Sequence, residues 1–345
     1  MIEEKYMRRA LQLAALGKAE VAPNPMVGCV IVKDSKILSE GFHRRYGEAH
    51  AEIDAINRLE SPEQIRGADV YVTLEPCSHY GKTPPCADKL VELMPKRVMI
   101  ANTDPNPLVN GKGIARLRQA GIEVITGICE AEGKTLNARF FEYMTQKKPY
   151  VILKWAQSGD GWIAKENYQK VQLSNEHVTR YVHKWRAEEQ AIMVGANTAL
   201  YDNPHLTVRH WIGKNPTRIL FDPHLKVPSS HHIFNDEAPT FCYYFQQTKV
   251  VQQYPSGVVL KQVNSQRWLD DILDDLYTNQ IISVLVEGGS KLLSEFIAQQ
   301  KWNEIRLIQS PHWLGKGIAA PKFIAELLIQ FSVDDNIIYI FRPKA

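Results

Sequence analysis

Three short segments in the first hundred residues carry side chains that bind metals. They are His50-Ala51-Glu52, Pro76-Cys77 and Pro85-Cys86. One imidazole and two thiolates are nitrogen and sulfur ligands of the kind that Zn²⁺ binds in tetrahedral geometry. Three protein ligands leave a fourth position for a water, and zinc lowers the pKa of such a water to about 7. The pattern therefore predicts a catalytic zinc site with His50, Cys77 and Cys86 as its ligands.

The surroundings of these ligands favour a chemical role. Cys86 follows two prolines at the predicted first turn of a helix, where the helix N-terminus stabilises a thiolate. Glu52 lies two positions after His50, close enough to act on a metal-bound water without binding the metal. The alternative is a closed structural zinc site whose fourth ligand is Cys29, His43 or His79. That alternative gives Glu52 no role.

Predicted strands and helices alternate around the metal-binding segments. Apolar spacing predicts a helix over 4–17 and buried strands over 27–32, 70–74 and 97–101. Further helices are expected to begin near His50 and after Pro85. Strands that alternate with helices indicate an α/β sandwich.

The pattern restarts after Gln146-Lys147-Lys148-Pro149, which we interpret as a domain boundary. Strands are predicted over 150–155, 191–194, 217–221 and 281–286, and a helix over 177–189. The sequence therefore predicts two α/β domains, residues 1–146 and residues 147–345. Residues 225–275 contain few motifs, and no function is assigned to them.

A glycine-bearing turn closes the predicted strand at 281–286. Glu287-Gly288-Gly289-Ser290 stands between that strand and a predicted helix. A strand, a glycine turn and a helix form a phosphate-binding arrangement, because backbone N–H groups and the helix N-terminus point at the anion. An ordinary turn between strand and helix has the same form, so the Gly-Gly pair alone does not decide between them.

Composition limits the classes of function. The chain has 345 residues, 44% of them hydrophobic and 23% charged, as in soluble globular proteins. The net charge is +3 without a run of like charge, so we expect no nucleic-acid partner. No segment approaches the ~20 apolar residues of a membrane helix, and the N-terminus lacks the pattern of a signal peptide. Five cysteines are an odd, sparse set for disulfides, so we expect free thiols and a cytoplasmic location.

The first half resembles the cytidine-deaminase-like zinc enzymes. Their signature is His-x-Glu followed by Pro-Cys-x-x-Cys, with the glutamate as general acid and base. Here eight residues, Ser78 to Pro85, separate the two cysteines. That insertion resembles the deaminase domain of the bifunctional riboflavin-biosynthesis deaminase/reductases. Other matching segments are Ala22 to Gly28, Gly41 to His43, Asp104 to Pro107 and Gly111 to Gly113.

This resemblance implies residue roles around the zinc. Glu52 would shuttle protons, and the substrate would be surrounded by Asn24, His43, His79, Lys82 and Asn106. For Asn24, a side chain that holds its own turn is an equally good explanation.

The second half resembles the reductase domain of the same family, which has a dihydrofolate-reductase-like fold and uses NADPH. The matching segments are Lys154 to Gly161, Thr198 to Arg209 and Glu287 to Ser290. Residues implied at NADPH are Gln157, Thr198, Asp202, Gly289, Ser290, Lys291, Leu292, Leu293, Ser294 and Glu295. Residues implied at the substrate are Lys170, Arg186, Leu206, Arg209 and Glu287, with Lys154 as a catalytic residue.

Two points within this second resemblance stay open. Gln172 stands where the family often has a tryptophan, which puts a cofactor contact there in doubt. Arg186 and Arg209 are candidates for the substrate phosphate, because a planar guanidinium donates two hydrogen bonds and stays charged. A surface arginine paired with Glu188 or Glu189 is the alternative for each.

Together these observations predict a cytidine-deaminase-like three-layer sandwich followed by a dihydrofolate-reductase-like domain. The implied enzyme deaminates 2,5-diamino-6-ribosylamino-4(3H)-pyrimidinone 5′-phosphate, a small-molecule substrate, and then reduces its ribosyl chain to ribityl with NADPH. One zinc per chain and a homo-oligomer are expected. A nucleic-acid-editing deaminase would instead have a basic groove and a short Cys-x-x-Cys. A zinc-stabilised binding module would have a closed site in which Glu52 is dispensable.

Overall fold

The computed structural model describes residues 2–79, 84–107, 109–169 and 171–344. The chain divides into two units, Met1–Lys147 and Lys148–Ala345. Among the described residues, no helix has the length and apolar character needed to cross a membrane.

The first unit is built on a mixed sheet. Its strands, within the described ranges, are β1 Gly28–Lys33, β2 Lys36–Phe42, β3 Asp69–Leu74, β4 Arg97–Asn102 and β5 Glu123–Thr126. They lie in the order β2-β1-β3-β4-β5. Strand β1 is antiparallel to β2 and β3, while β3, β4 and β5 run parallel. The helices are α1 Ile2–Ala15, α2 Ala51–Ile56, α3 Cys86–Leu93, α4 Lys112–Gln119, α5 Glu130–Leu136 and α6 Ala138–Gln146.

Helices cover both faces of this sheet. Because side chains alternate along a strand, Cys29 and Ile31 of β1 lie on one face and Val30 and Val32 on the other. The first pair belongs to a buried cluster with residues of α2, α3 and α4. The second pair packs with Met7 and other residues of α1. The predicted three-layer sandwich is therefore confirmed.

The second unit contains a larger sheet. The strands of this unit that fall in the described residues are β6 Tyr150–Gln157, β7 Trp162–Ala164, β8 Ala191–Gly195, β9 Thr217–Phe221, β10 Thr240–Phe245, β11 Val258–Val263, β12 Ser283–Val286, β13 Glu304–Gln309, β14 Ile318–Ala319, β15 Glu326–Val333 and β16 Asn336–Arg342. The main sheet has the order β11-β10-β9-β8-β12-β6-β13-β16-β15. It is parallel from β11 to β13, and β16 is antiparallel to both of its neighbours.

Four α-helices accompany this sheet in the described part of the second unit. They are α7 Glu176–Glu188, α8 Ala196–Asp202, α9 Trp268–Thr278 and α10 Ser290–Ala298. The main buried cluster lies between the sheet and the last two of these helices, with Leu273 and Phe296 among its members. Strands β6, β8, β9 and β12 end on the same edge of the sheet, because parallel strands share a direction. This edge carries the second candidate site.

Candidate active sites

The three predicted metal ligands meet in the first unit. His50 directly precedes α2, Cys77 lies in the loop after β3, and Cys86 is the first residue of α3. The Nδ1 atom of His50 lies 3.5 Å from the Cys77 sulfur and 3.4 Å from the Cys86 sulfur. The backbone N–H of Cys86 donates to the Cys77 sulfur at 3.2 Å. One nitrogen and two sulfur donors within 4.8 Å of one another fit a tetrahedral zinc ion.

Within the described residues this donor group contains three side chains and not four. Cys29, one proposed fourth ligand, is buried in the β1 core cluster. The Nδ1 atom of His43 lies 3.0 Å from the Ala49 carbonyl, and its Nε2 lies 3.1 Å from the Asn24 amide nitrogen. His79 is exposed. A zinc ion held by these three donors would keep its fourth position for a water, as catalytic zinc sites do.

Glu52 is a buried acid next to these donors, with interactions to His50, Cys77 and Cys86. It is the second residue of α2, and only 3% of it is exposed. From protein groups alone, burial and then the charge of Cys77 raise its pKa to about 7. A carboxyl group with a pKa near the working pH can both accept and donate a proton.

Two of the five residues implied at the pyrimidine, Asn24 and His43, contact each other. A carbonyl only accepts hydrogen bonds, so His43 donates from Nδ1 to Ala49 and accepts from Asn24 at Nε2. Burial lowers the pKa of His43, which favours this neutral form. Asn106 lies in the loop after β4, where its N–H donates to Asp104 at 2.8 Å. Lys82 lies outside the described residues.

Glu75 is a buried residue of this region that the sequence analysis did not select. It follows β3 directly, two positions before Cys77, and its carboxylate accepts hydrogen bonds from three backbone N–H groups. Burial raises the pKa of the nearby Asp104 to about 6. The run Leu74-Glu75-Pro76-Cys77 holds the signal that could have found it, since an acid at the end of a buried strand needs partners.

The second unit has a cleft of about 860 Å³ at the carboxyl ends of its parallel strands. Ligands of α/β sheets bind at this edge. Predicted substrate residues that line the cleft are Arg186, Leu206, Arg209 and Glu287, with the catalytic candidate Lys154 beside them. Predicted cofactor residues that line it are Thr198, Asp202, Gly289, Ser290, Lys291, Leu292 and Glu295. Lys170 lies outside the described residues.

Glu287 is the centre of a charged cluster in the cleft. Arg186 donates to its two oxygens at 2.8 and 2.9 Å, and the Lys154 ammonium lies 3.5 Å away. Although burial raises the pKa of Glu287, Arg186 and Lys154 outweigh burial and lower it to about 2. Burial lowers the pKa of Lys154. The partner of Arg186 is therefore a buried glutamate, neither a surface acid nor an open phosphate site.

Arg209 differs from Arg186. It is exposed, and its hydrogen bond within the described residues is the one that its backbone N–H donates to His183 at 3.0 Å. No ion pair of its guanidinium is found among the described residues. Its charge is therefore available to a ligand in the cleft.

Some of the residues implied at NADPH line the cleft, and others do not. Gly289 caps α10, and a Cβ on it would lie 3.3 Å from the Thr198 hydroxyl, so the backbone there approaches α8 closely. The side chain of Gln157 instead bonds Trp155 and Gln309. Leu293 is fully buried in the core. Gln157, Leu293 and Ser294 do not line the cleft, whereas Gln172 does.

Some cleft residues lie where no function was predicted. Phe221 stacks on Trp268 with ring centroids 4.0 Å apart and planes at 8°. His224 and Lys226 follow β9 and are exposed to the cleft. These residues come from separated segments, and only the parallel sheet brings their positions together.

Both candidate sites lie in regions that match known protein families. Residues 1–102 match the cytidine and deoxycytidylate deaminase zinc-binding region, and residues 149–336 match the RibD C-terminal domain. The chain belongs to the RibD family. It is a bifunctional deaminase and reductase of riboflavin biosynthesis that uses Zn²⁺ and NADPH.

Relatives of RibD type match along nearly the whole chain. Riboflavin biosynthesis protein RibD of Aquifex aeolicus is 40% identical over 324 residues, covering 92% of this chain and 89% of the relative. The Bacillus amyloliquefaciens protein is 41% identical over 330 residues, covering 94% and 88%. The crystal structure of a diaminohydroxyphosphoribosylaminopyrimidine deaminase/5-amino-6-(5-phosphoribosylamino)uracil reductase from Thermotoga maritima superposes with a TM-score of 0.91 at 36% identity, covering 99% of both chains.

Proposed function

We propose that the first unit deaminates 2,5-diamino-6-ribosylamino-4(3H)-pyrimidinone 5′-phosphate. The second unit would then reduce the product to 5-amino-6-(5-phosphoribitylamino)uracil. The observation that supports these two activities is the presence of a His/Cys/Cys donor cluster and a charged cleft in one chain. The named activities of the Thermotoga maritima protein, 36% identical over the same length, agree with it.

In the deaminase, His50, Cys77 and Cys86 would hold the zinc, which supplies an activated water at neutral pH. Glu52 would take one proton of that water and pass it to the ring nitrogen. It would then carry the second proton, from the hydroxyl added to the ring carbon, to the amine, which leaves as ammonia. Its burial keeps bulk water from competing for the proton. Asn24 and His43 would border the pyrimidine, with Asn106, His79 and Lys82 around the rest of the substrate.

In the reductase, NADPH supplies the hydride. The hydride would add to the ribosyl carbon attached to nitrogen, and the bond from that carbon to the ring oxygen would break. Lys154 would donate a proton to the departing oxygen, which completes a two-electron reduction. Its lowered pKa makes the ammonium a better proton donor than an exposed lysine.

The substrate phosphate is assigned here to Arg209, while Arg186 orients Glu287. Arg186 already donates to both Glu287 oxygens, and one more of its N–H groups reaches the Thr207 carbonyl at 3.3 Å. A dianionic phosphate would compete poorly with that buried carboxylate. Thr198, Asp202 and the residues from Gly289 to Glu295 would border NADPH, with Leu293 limited to backbone contact. Gln157, which is hydrogen-bonded to Trp155 and Gln309, would stabilise the end of strand β6.

Ammonia release and NADPH oxidation with the pyrimidinone phosphate test this proposal. Both signals are expected in sequence, with NADPH oxidation dependent on prior deamination. Absence of ammonia release by zinc-loaded protein would refute the deaminase substrate. Deamination of a polynucleotide in place of this compound would favour an editing enzyme.

We also propose that the two units act as independent domains, with the boundary at residues 146–147. The division at Lys147 supports this proposal. A fragment of residues 1–147 should be soluble, bind one zinc and deaminate. An insoluble or zinc-free fragment from an active full-length protein would show that the domains depend on each other.

A homo-oligomer is proposed on the exposed edge of the second sheet. Strand β15 ends the sheet, and Leu327, Leu328 and Ile329 on it are about half exposed, next to Ile324 at 79%. An exposed apolar edge strand is a place where a second copy pairs. Sedimentation of the wild type against Ile329→Lys should show loss of the oligomer.

A cytoplasmic location is proposed because the described cysteines are free thiols.

A further inference from the structure

The carboxylate of Glu75 connects the metal-binding loop to the loop that carries Asn106. Glu75 follows β3, and its N–H still donates to Asn102 of the neighbouring strand β4 at 2.9 Å. Only 3% of the residue is exposed. A buried carboxylate needs partners to offset its lost hydration, and its partners decide what it holds.

Within the described residues, three N–H groups donate hydrogen bonds to this carboxylate, and all three belong to the backbone after β4. One oxygen accepts from Asp104 at 3.3 Å and from Gly111 at 2.9 Å, and the other accepts from Ile114 at 3.2 Å. Gly111 is the N-cap of α4, so the negative charge also lies at the positive end of that helix. Hydrogen bonds to a charged acceptor are the strong ones.

The connection continues on both sides of Glu75. Asp104 accepts from the N–H of Asn106 at 2.8 Å, which fixes the Asn106 backbone. Two positions after Glu75, Cys77 accepts from Cys86 through its sulfur and from Ala87 through its carbonyl. The ligand Cys77 and the substrate candidate Asn106 are therefore each a few bonds from one carboxylate.

Close packing supports the same connection. A Cβ added to Gly113 would lie 2.1 Å from the Pro76 carbonyl oxygen and 3.3 Å from the Glu75 side chain. The first turn of α4 thus lies directly against the Glu75-Pro76 backbone. A larger residue at position 113 would force the two segments apart.

We propose that Glu75 is a positioning residue. It fixes where the loop that carries Asn106 lies relative to the zinc ligands, and thereby how tightly the pyrimidine substrate binds. Within the described residues, its carboxylate bonds backbone N–H groups and not the donor atoms of the metal ligands. The inference rests on the proposed deaminase substrate.

Glu75→Gln tests it in the full-length, zinc-loaded protein. An amide keeps one acceptor oxygen and presents an NH₂ group to a backbone N–H, so the loop should shift. A misplacement of about 1 Å costs roughly 100-fold in rate. Deamination kcat/KM should therefore fall about 10- to 100-fold, mainly through KM, with one zinc retained. Reduction of the deaminated compound by the second unit is the internal reference and should not change.

A cobalt-substituted protein gives a readout independent of turnover. The Co²⁺–thiolate absorption of Glu75→Gln should match the wild type, while a 10- to 100-fold higher concentration of deaminated product should be needed to change it. Glu123→Gln, the same change at an exposed acid of the first unit, should behave as wild type. Gly113→Ala should reproduce the KM effect without altering any charge.

The outcomes separate this inference from the proposed function. If the wild type does not deaminate the pyrimidinone phosphate, the proposed substrate is wrong. If it does, unchanged deamination in Glu75→Gln and Gly113→Ala overturns the positioning role. Loss of zinc or an equal fall in reduction also overturns it, because the carboxylate would then hold the metal site or the whole fold.

Discussion

Two glutamates with little exposure, one in each unit, have pKa values that are shifted in opposite directions. Burial raises the pKa of Glu52 to about 7, and the neighbouring Cys77 charge adds to this. Burial acts on Glu287 as well, yet Arg186 and Lys154 lower its pKa to about 2. The charged neighbours, and not burial itself, therefore decide whether a buried acid transfers protons or stays ionised.

This difference fits the two chemistries. A deaminase must move protons onto a ring and a leaving amine, so it needs an acid that titrates near neutrality. A hydride-transfer site needs fixed charges that hold the substrate and keep a proton donor charged. Glu287 fits that second role, because Arg186 and Lys154 both lie within ion-pair distance.

Replacement of Glu52 should have the largest effect. Glu52→Gln removes the proton carrier but no metal ligand, so deamination should fall roughly 10²- to 10⁴-fold or more. Zinc measured by elemental analysis should stay at one per chain, and NADPH oxidation with pre-deaminated substrate should be unchanged. Loss of zinc in the variant would identify Glu52 as a ligand and contradict the assigned role.

Replacement of Glu287 should act on stability as well as on reduction. Glu287→Gln leaves Lys154 and Arg186 as two buried cations without a counter-charge, and breaking a buried pair costs about 3–5 kcal/mol. Thermal unfolding should show a less stable second unit, with deamination retained. Glu326→Gln, which removes an exposed ion pair with Arg342, should cost little.

The pH dependence gives the same contrast. A carboxyl group whose folded pKa lies below its unfolded value stabilises the fold above the unfolded value and loses that effect as pH falls. For Glu287 the window runs from the ordinary glutamate pKa of 4.5 down to its pKa of about 2 in the folded protein. Acid unfolding of the second unit should therefore be less steep in Glu287→Gln than in the wild type. Parallel curves would show that the pKa of Glu287 does not change on folding.

Sequence patterns were sufficient for the fold class and for the donor cluster of the first unit. The strand at Thr217–Phe221 was predicted with the same bounds, and the helix predicted over 177–189 is α7 at Glu176–Glu188. His50, Cys77 and Cys86, which meet in the structure, were selected because imidazole and thiolate are side-chain types that zinc binds. The outer strands β10, β11, β13, β15 and β16 were not predicted, since their pairing depends on distant neighbours.

The sequence could not show which charged residues of the cleft pair with each other. Arg186 and Arg209 are alike as residues, but α7 directs the first onto Glu287, 101 positions away, and the second remains open. Glu75 was missed for the same reason, because its partners lie 29 to 39 positions later in the chain. Such contacts follow from tertiary packing, and a local pattern contains no record of them.

Arg209 should show the effect expected of an open cation. A charged hydrogen bond is worth ~1.5–3 kcal/mol, so Arg209→Ala should weaken substrate use by roughly ten- to a hundredfold. The loss should be in KM, since the phosphate is bound alike in ground and transition states. With dephosphorylated substrate the wild type should lose rate while the variant hardly distinguishes the two compounds. Equal discrimination by both proteins would remove Arg209 from the phosphate site.

Lys226 should give the smallest and most selective effect. It lines the same cleft as the stacked rings of Phe221 and Trp268, and no salt bridge of its ammonium is found in the described part of the chain. NADPH differs from NADH by one phosphate on the adenosine ribose, and a cation without a salt bridge in this cleft suits that group. Because the lysine is exposed, a loss near the lower end of ~1.5–3 kcal/mol applies, so Lys226→Ala should raise the KM for NADPH roughly tenfold and leave the KM for NADH unchanged. Lys291→Ala, in the first turn of α10, is the matched control and should weaken both cofactors alike, since the pyrophosphate is common to them. An equal effect of Lys226→Ala on NADPH and NADH would assign Lys226 to the shared part of the cofactor and leave the choice between them to another residue.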